Sequence, residues 1–161
     1  MSTTDMFLMI DGIKGESADE KHKDEIDVQS WSWGESNAGS MALGGGGGTG
    51  RVQMQDFNFT MLMNKASPML MDACAQGAHI KKAVLTCRKA GGGQHEYLVI
   101  TFEDLMISSY QTGGGGGNTL PMESISFNFS KITQDYKPQA AAGTPQGSVS
   151  KSYNLKTNKA A

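Results

Sequence analysis

Cysteine is scarce. Cys74 and Cys87 are the only two in 161 residues and form no CxxC motif, so a disulfide-stapled secreted scaffold is excluded and folding in a reducing compartment is expected. Long hydrophobic runs are absent as well, and nothing approaches the roughly 20 apolar residues of a membrane-spanning helix. Asp5 precedes only the short apolar run Met6–Ile10, with no basic segment before it, so neither a cleavable export signal nor membrane insertion is expected. No one sign of charge dominates: 14 Lys and Arg face 16 Asp and Glu, a formal net charge of −2. Nucleic acid is therefore not an expected partner, because phosphate contacts need clustered cations. The nearest cluster, Lys81, Lys82, Arg88 and Lys89, has no aromatics among it and is expected to be a solvated strand face.

Glycine is what the chain has in excess, with 21 residues that include the runs Gly44–Gly48 and Gly113–Gly117. Fixing a residue costs roughly 1–2 kcal/mol, and glycine has the most freedom to lose, so ordering both runs would cost about 10–20 kcal/mol. That is comparable to the whole stability of a domain. Such loops either stay mobile or are ordered by something outside the subunit.

The length suits a single domain, 1–161. Strands are expected at Asp5–Ile13, ending in an Asp11-Gly12 turn, and at Ile26–Gly34. In the latter, Ile26 and Val28 share one parity and Trp31 and Trp33 the other, which predicts a bulge or a change of buried face. Residues 34–50 form an extended loop, longer than most connections. Arg51–Met63 reads as the next strand, with Phe57, Phe59 and Met61 alternating with Asn58 and Thr60. One helix follows: Ser67 as N-cap, Pro68 at the first position, Gly77 at C′, and an apolar stripe of Met69, Leu70 and Ala73. Further strands are expected at His79–Lys89, Glu96–Ser109 and Met122–Tyr136, with a Gly91–Gly93 hairpin turn, a linker over 138–147, and a last strand within Val149–Thr157. The fold class is all-β with one helix, a barrel or sandwich of about seven or more strands. Phe57-Asn58-Phe59-Thr60 is echoed in Phe127-Asn128-Phe129-Ser130.

Catalytic and cofactor signatures fail one by one. Gly45-x4-Gly50 has the spacing of a phosphate-binding loop, but Arg51 and Val52 follow where Lys and Ser or Thr are required, and a strand follows instead of a helix. His22, His79 and His95 lie far apart, so no metal is expected. No GxSxG elbow exists, and Cys74 sits mid-helix between alanines, a packing position. Glu103 and Asp104 fall on opposite strand faces. The expectation is a protein without cofactor, metal or catalytic residues, whose product is an assembly: a head-to-tail contact repeated by rotation closes a ring, and stacked rings make a tube.

Six ordered segments carry a resemblance: Asp5-Met6-Phe7, Lys14-Gly15-Glu16-Ser17, Glu25-Ile26-Asp27-Val28, Trp31-Ser32-Trp33-Gly34, Gly39-Ser40-Met41 with the glycine run, and Arg88-Lys89-Ala90-Gly91. Together they resemble the haemolysin-coregulated protein (Hcp) family of bacterial type VI secretion systems. The resemblance implies a phage tail-tube-like barrel and homohexameric rings stacked into a tube inside a contractile sheath. It also implies a valine-glycine repeat spike protein at the tip, small effector proteins held in the lumen, and cytoplasmic assembly followed by secretion without a cleavable signal. An alternative within the same family is a protein that serves mainly as an effector-binding export chaperone. Because Trp31 and Trp33 share one face, Ser30 and Ser32 face the other and are the lumen and cargo candidates. Ring-stacking candidates are Met41, Leu43, Gly44, Gly45, Gly46, Gly47 and Gly48, and more weakly Gly91, Gly92 and Lys156.

Overall fold

A computed structural model describes residues 3–39, 51–91, 93–117, 119–139 and 147–161. The strands are β1 (Thr4–Ile10), β2 (Ile26–Asp27), β3 (Ser30–Ser32), β4 (Glu35–Asn37), β5 (Val52–Met54), β6 (Phe57–Leu62), β7 (Ile80–Lys89), β8 (Glu96–Gly113), β9 (Met122–Tyr136), β10 (Val149–Asn154) and β11 (Lys159–Ala160). Among the described residues one helix, α1 (Ser67–Gln76), stands between β6 and β7.

The antiparallel pairings form a circuit. β1 pairs with β7, β7 with β8, β8 with β9, and β9 with β6. The stretch Ile26–Ser32 closes it by leaving one neighbour for another: β2 pairs with β1 and β3 with β6. At the corner, Val28 N–H donates to Met6 O and Gln29 N–H to Thr60 O. This crossing is the physical reason for the parity change: Ile26 and Val28 are buried against one wall, and Trp31 and Trp33 lean on the core from the next. A closed barrel leaves fewer strand edges to aggregate. β10 and β11 extend the sheet beyond β9.

The core is aromatic. Phe57, Phe59, Phe102 and Phe127 are fully buried, with ring centroids 4.8 Å apart for Phe57–Phe102 and 5.0 Å for the edge-to-face pair Phe102–Phe127. Trp31 stacks on Phe57 at 6.0 Å. The two echoed segments are antiparallel neighbours, Phe57 opposite Phe127, so their likeness reflects one packed layer. Strand β8 keeps its apolar side inward despite its length by two irregularities. Asp104 takes left-handed backbone (φ 54°), shifting the buried set from Ile100 and Phe102 to Leu105 and Ile107, and Ser108 bulges out of the pairing with β9.

Several expectations are corrected. The 34–50 loop contains β4, which pairs with β5 as a separate two-stranded sheet, and the expected strand Arg51–Met63 is broken at Gln55–Asp56 into β5 and β6. Ser67 lies inside the helix and Ala66 holds the N-cap position without a side-chain cap. The Ser67 hydroxyl has other partners: it accepts Asn64 N–H at 3.1 Å and donates to Glu123. Met69 is exposed, so the buried stripe of α1 is Ser67, Leu70 and Ala73. Arg88 does not belong to the solvated cluster; it is buried, while Lys81, Lys82 and Lys89 are exposed. Gly77 ends the helix in the left-handed conformation (φ 60°, ψ 39°) as its position predicts.

Candidate functional site

Alternation along four adjacent strands writes a continuous polar face on the barrel wall. Across the register, Ser32 lies opposite Asn58, Asn58 opposite Ser126, and Ser126 opposite Ser109. A parallel row runs through Ser30, Thr60, Ser124 and Gln111. Between them the row Trp31, Phe59, Ile125 and Tyr110 turns to the core, because successive residues of a strand point to opposite faces. Ser30 and Ser32 are exposed, as expected from the tryptophan parity, and the structure brings them onto one surface with partners from three other strands. Ser30 and Thr60 share a hydrogen bond of 2.6 Å. Asn58 Nδ2 donates to Ser124 Oγ at 3.1 Å and Ser126 Oγ at 2.9 Å. No residue of either row is ionisable, and none is longer than glutamine.

The other candidates do not join this face. Met41, Leu43, Gly44, Gly45, Gly46, Gly47, Gly48 and Gly92 lie outside the described residues. Gly91 is exposed in the β7–β8 turn. Lys156 is exposed with Nζ 3.4 Å from Asp104 Oδ2. The Gly113–Gly117 run is exposed; Gly113 is the last β8 residue paired with β9, opposite Met122, and Gly114–Gly117 follow it.

Two charged clusters lie elsewhere. Asp104 accepts from His79 Nε2 at 3.1 Å and from Ser130 Oγ at 3.1 Å, and these contacts with Lys156, led by His79, hold its carboxyl below the usual range. The carboxylate is central here, so histidine does not touch serine as a nucleophilic triad requires. Glu103 turns to Lys131 instead. The second cluster joins the 11–25 loop to the barrel through Arg88, Asp5, Asp19, His22, Glu25 and Glu96. Both glutamates address the imidazole rather than a common point, and among the described residues no group of His, Cys, Asp and Glu is arranged to hold a metal. The spacing His22-x-x-Glu25 is a sequence signal for this cluster that the sequence analysis missed. Burial pushes the Cys87 thiol up, so its thiolate is disfavoured.

A closed antiparallel barrel with one flanking helix and an uncharged polar wall defines the class. The family model of the type VI secretion system effector Hcp matches residues 7–136. Protein hcp1 of Pseudomonas aeruginosa is 51% identical over 156 residues, covering 96% of each chain. Among solved structures, one of a type six secretion system protein aligns with a TM-score of 0.91 at 32% identity, covering 98% of this chain and 99% of that one. Hcp1 from Salmonella typhimurium aligns with a TM-score of 0.80 at 35% identity, covering 99% and 100%. The chain belongs to the Hcp family and is a protein of the type VI secretion system. Among the described residues no helix is long and apolar enough to cross a membrane.

Proposed function

We propose that the protein assembles as homohexameric rings that stack into the inner tube of a type VI secretion system, with the polar face of β3, β6, β9 and β8 turned to the lumen. The carrying observation is the two uncharged rows across four strands. A passage lined this way offers hydrogen bonds to cargoes of either charge and holds none by a strong ion pair. In this reading the tube assembles in the cytoplasm, lies inside a contractile sheath, carries a valine-glycine repeat spike, and is secreted on firing with small effectors inside it. The protein is structural and catalyses nothing. Native mass measurement and negative-stain images of the purified protein test this: six-subunit rings are expected, and a stable monomer without rings at high concentration would sink the reading.

A second reading, an effector-binding export chaperone first and a tube secondarily, is favoured by the exposed position of Ser32 on this face. Ser32→Gln should leave rings intact and reduce effector retention, because the longer side chain crowds the wall. Unchanged effector levels would refute the lumen assignment.

A further inference from the structure

His22 is buried, and both of its ring nitrogens face carboxylates. Nδ1 is 2.9 Å from Glu25 Oε2 and Nε2 is 2.7 Å from Glu96 Oε1. A neutral imidazole carries one proton and can donate to only one of them; the other nitrogen then sets a lone pair against a carboxylate. The imidazolium satisfies both. Stacking on Phe7, with centroids 4.5 Å apart and planes 9° from parallel, fixes the ring in this orientation.

Among the described residues, the surrounding charges leave His22 as the cation for these two glutamates. Arg88 on β7 is occupied by Asp19, at 2.6 and 3.2 Å, and by Asp5 on β1 at 3.1 Å. Asp19 also accepts the His22 backbone N–H at 3.2 Å. Asp27 on β2 adds negative charge near Asp5 and Asp19. Lys21 and Lys23 are exposed, and Lys65 reaches Asp24 at 4.0 Å.

We propose that His22 is a proton-operated latch: the doubly protonated ring clamps the C-terminal half of the 11–25 loop onto β8, and loss of its proton frees that segment. Another anchor of the loop, Asp19 on Arg88, does not involve the His22 ring. The Arg88 guanidinium holds the Asp19 carboxyl down at about 2, so this contact stays charged throughout the range in which a histidine titrates. Glu25 also lines a cleft of about 650 Å³ with Ile13, Lys14, Lys65 and Met69, so the latch sets one wall of that cleft.

The direction follows from the environment. Burial pushes the imidazole down, but Glu96 and Glu25 outweigh it and hold the ring above its ordinary 6.5. Burial likewise pushes Glu25 up, and His22 opposes that. A folded value above the unfolded one means the stabilisation is fully present below about pH 6.5 and is lost as pH rises through the folded value.

Amide exchange of residues 14–25 in the full-length protein, corrected for intrinsic exchange, tests the latch together with NMR titration of the His22 ring. Protection around residues 20–25 should fall at least about tenfold between about pH 6 and pH 8.5, while β9 is unchanged. His22→Gln should abolish that dependence. Glu96→Gln keeps the ring and one carboxylate, so it should move the transition to lower pH whether or not the histidine variant folds. A wild-type loop equally protected at both pH values, a His22 ring titrating at or below about 6.5, or an unshifted transition in Glu96→Gln would each overturn the proposal.

Discussion

Glu123 is 1% exposed, and its two partners are hydroxyls rather than cations: Ser67 from the first turn of α1 and Tyr110 from β8. Both donate to it, so the carboxylate joins the helix to the barrel wall. Burying it is tolerable only because its oxygens are occupied. Replacing it by alanine strands two donors where water is scarce, and each unsatisfied group costs about 1–3 kcal/mol. Glu123→Ala is therefore expected to lower stability by roughly 2–6 kcal/mol and Glu123→Gln, which keeps one acceptor, by less. Urea unfolding of the two variants measures the difference; equal losses would mean that the carboxylate acts by volume alone. Arg88 shows the same dependence on distant residues. Counted with its lysine neighbours it looks solvated, and only the fold reveals Asp5 and Asp19 closing around it.

At the scale of elements, backbone bonds join the two halves of the 11–25 loop to each other. Gly15 N–H donates to Asp24 O at 2.8 Å and Ser17 N–H to Glu25 O at 3.0 Å. The chains approach so closely that a Cβ on Gly15 would lie 2.5 Å from Glu25 O and 2.8 Å from Ile26 Cα, atoms that cannot turn aside. Gly15→Ala should cost about 1–3 kcal/mol, the range for overpacking, and expose the loop to protease before the barrel unfolds. A variant with unchanged melting and cleavage would show that the loop shifts freely. What was legible in the sequence follows from local chemistry. The strands β6 and β9, and β8 around Ile100 and Phe102, show period-two alternation, Pro68 and Gly77 bracket the helix, and the Trp31 and Trp33 parity places Ser30 and Ser32 outward. What was not legible depends on remote partners. Ser67 is diverted from capping by Glu123, 56 residues away. Met69 fits a helical stripe, but it lies at an open cleft beside the 11–25 loop and is 51% exposed. The polar face had half a signature, since one strand's serines cannot announce Asn58, Ser124 and Ser126 beside them.

For the whole molecule, the closed circuit of β1, β2–β3, β6, β9, β8 and β7 separates what the subunit needs from what an assembly would use. The β4–β5 hairpin is its own two-stranded sheet, and neither strand pairs with the barrel. The glycines Gly44–Gly48 lie between β4 and β5 in sequence, so removing them takes no residue from any barrel strand given above. If this run becomes ordered when one ring stacks on another, its cost of roughly 5–10 kcal/mol per subunit must be met by contacts between rings. Deleting Gly44–Gly48 should accordingly leave the melting temperature and the single-ring mass unchanged while shortening tubes in electron micrographs, because the residues that would bridge the rings no longer reach. Shortened tubes from a subunit that melts early would indicate a folding defect instead. Tubes of wild-type length from a stable subunit would reduce the run to a spacer and move the stacking contact to Gly91 or Lys156, both exposed.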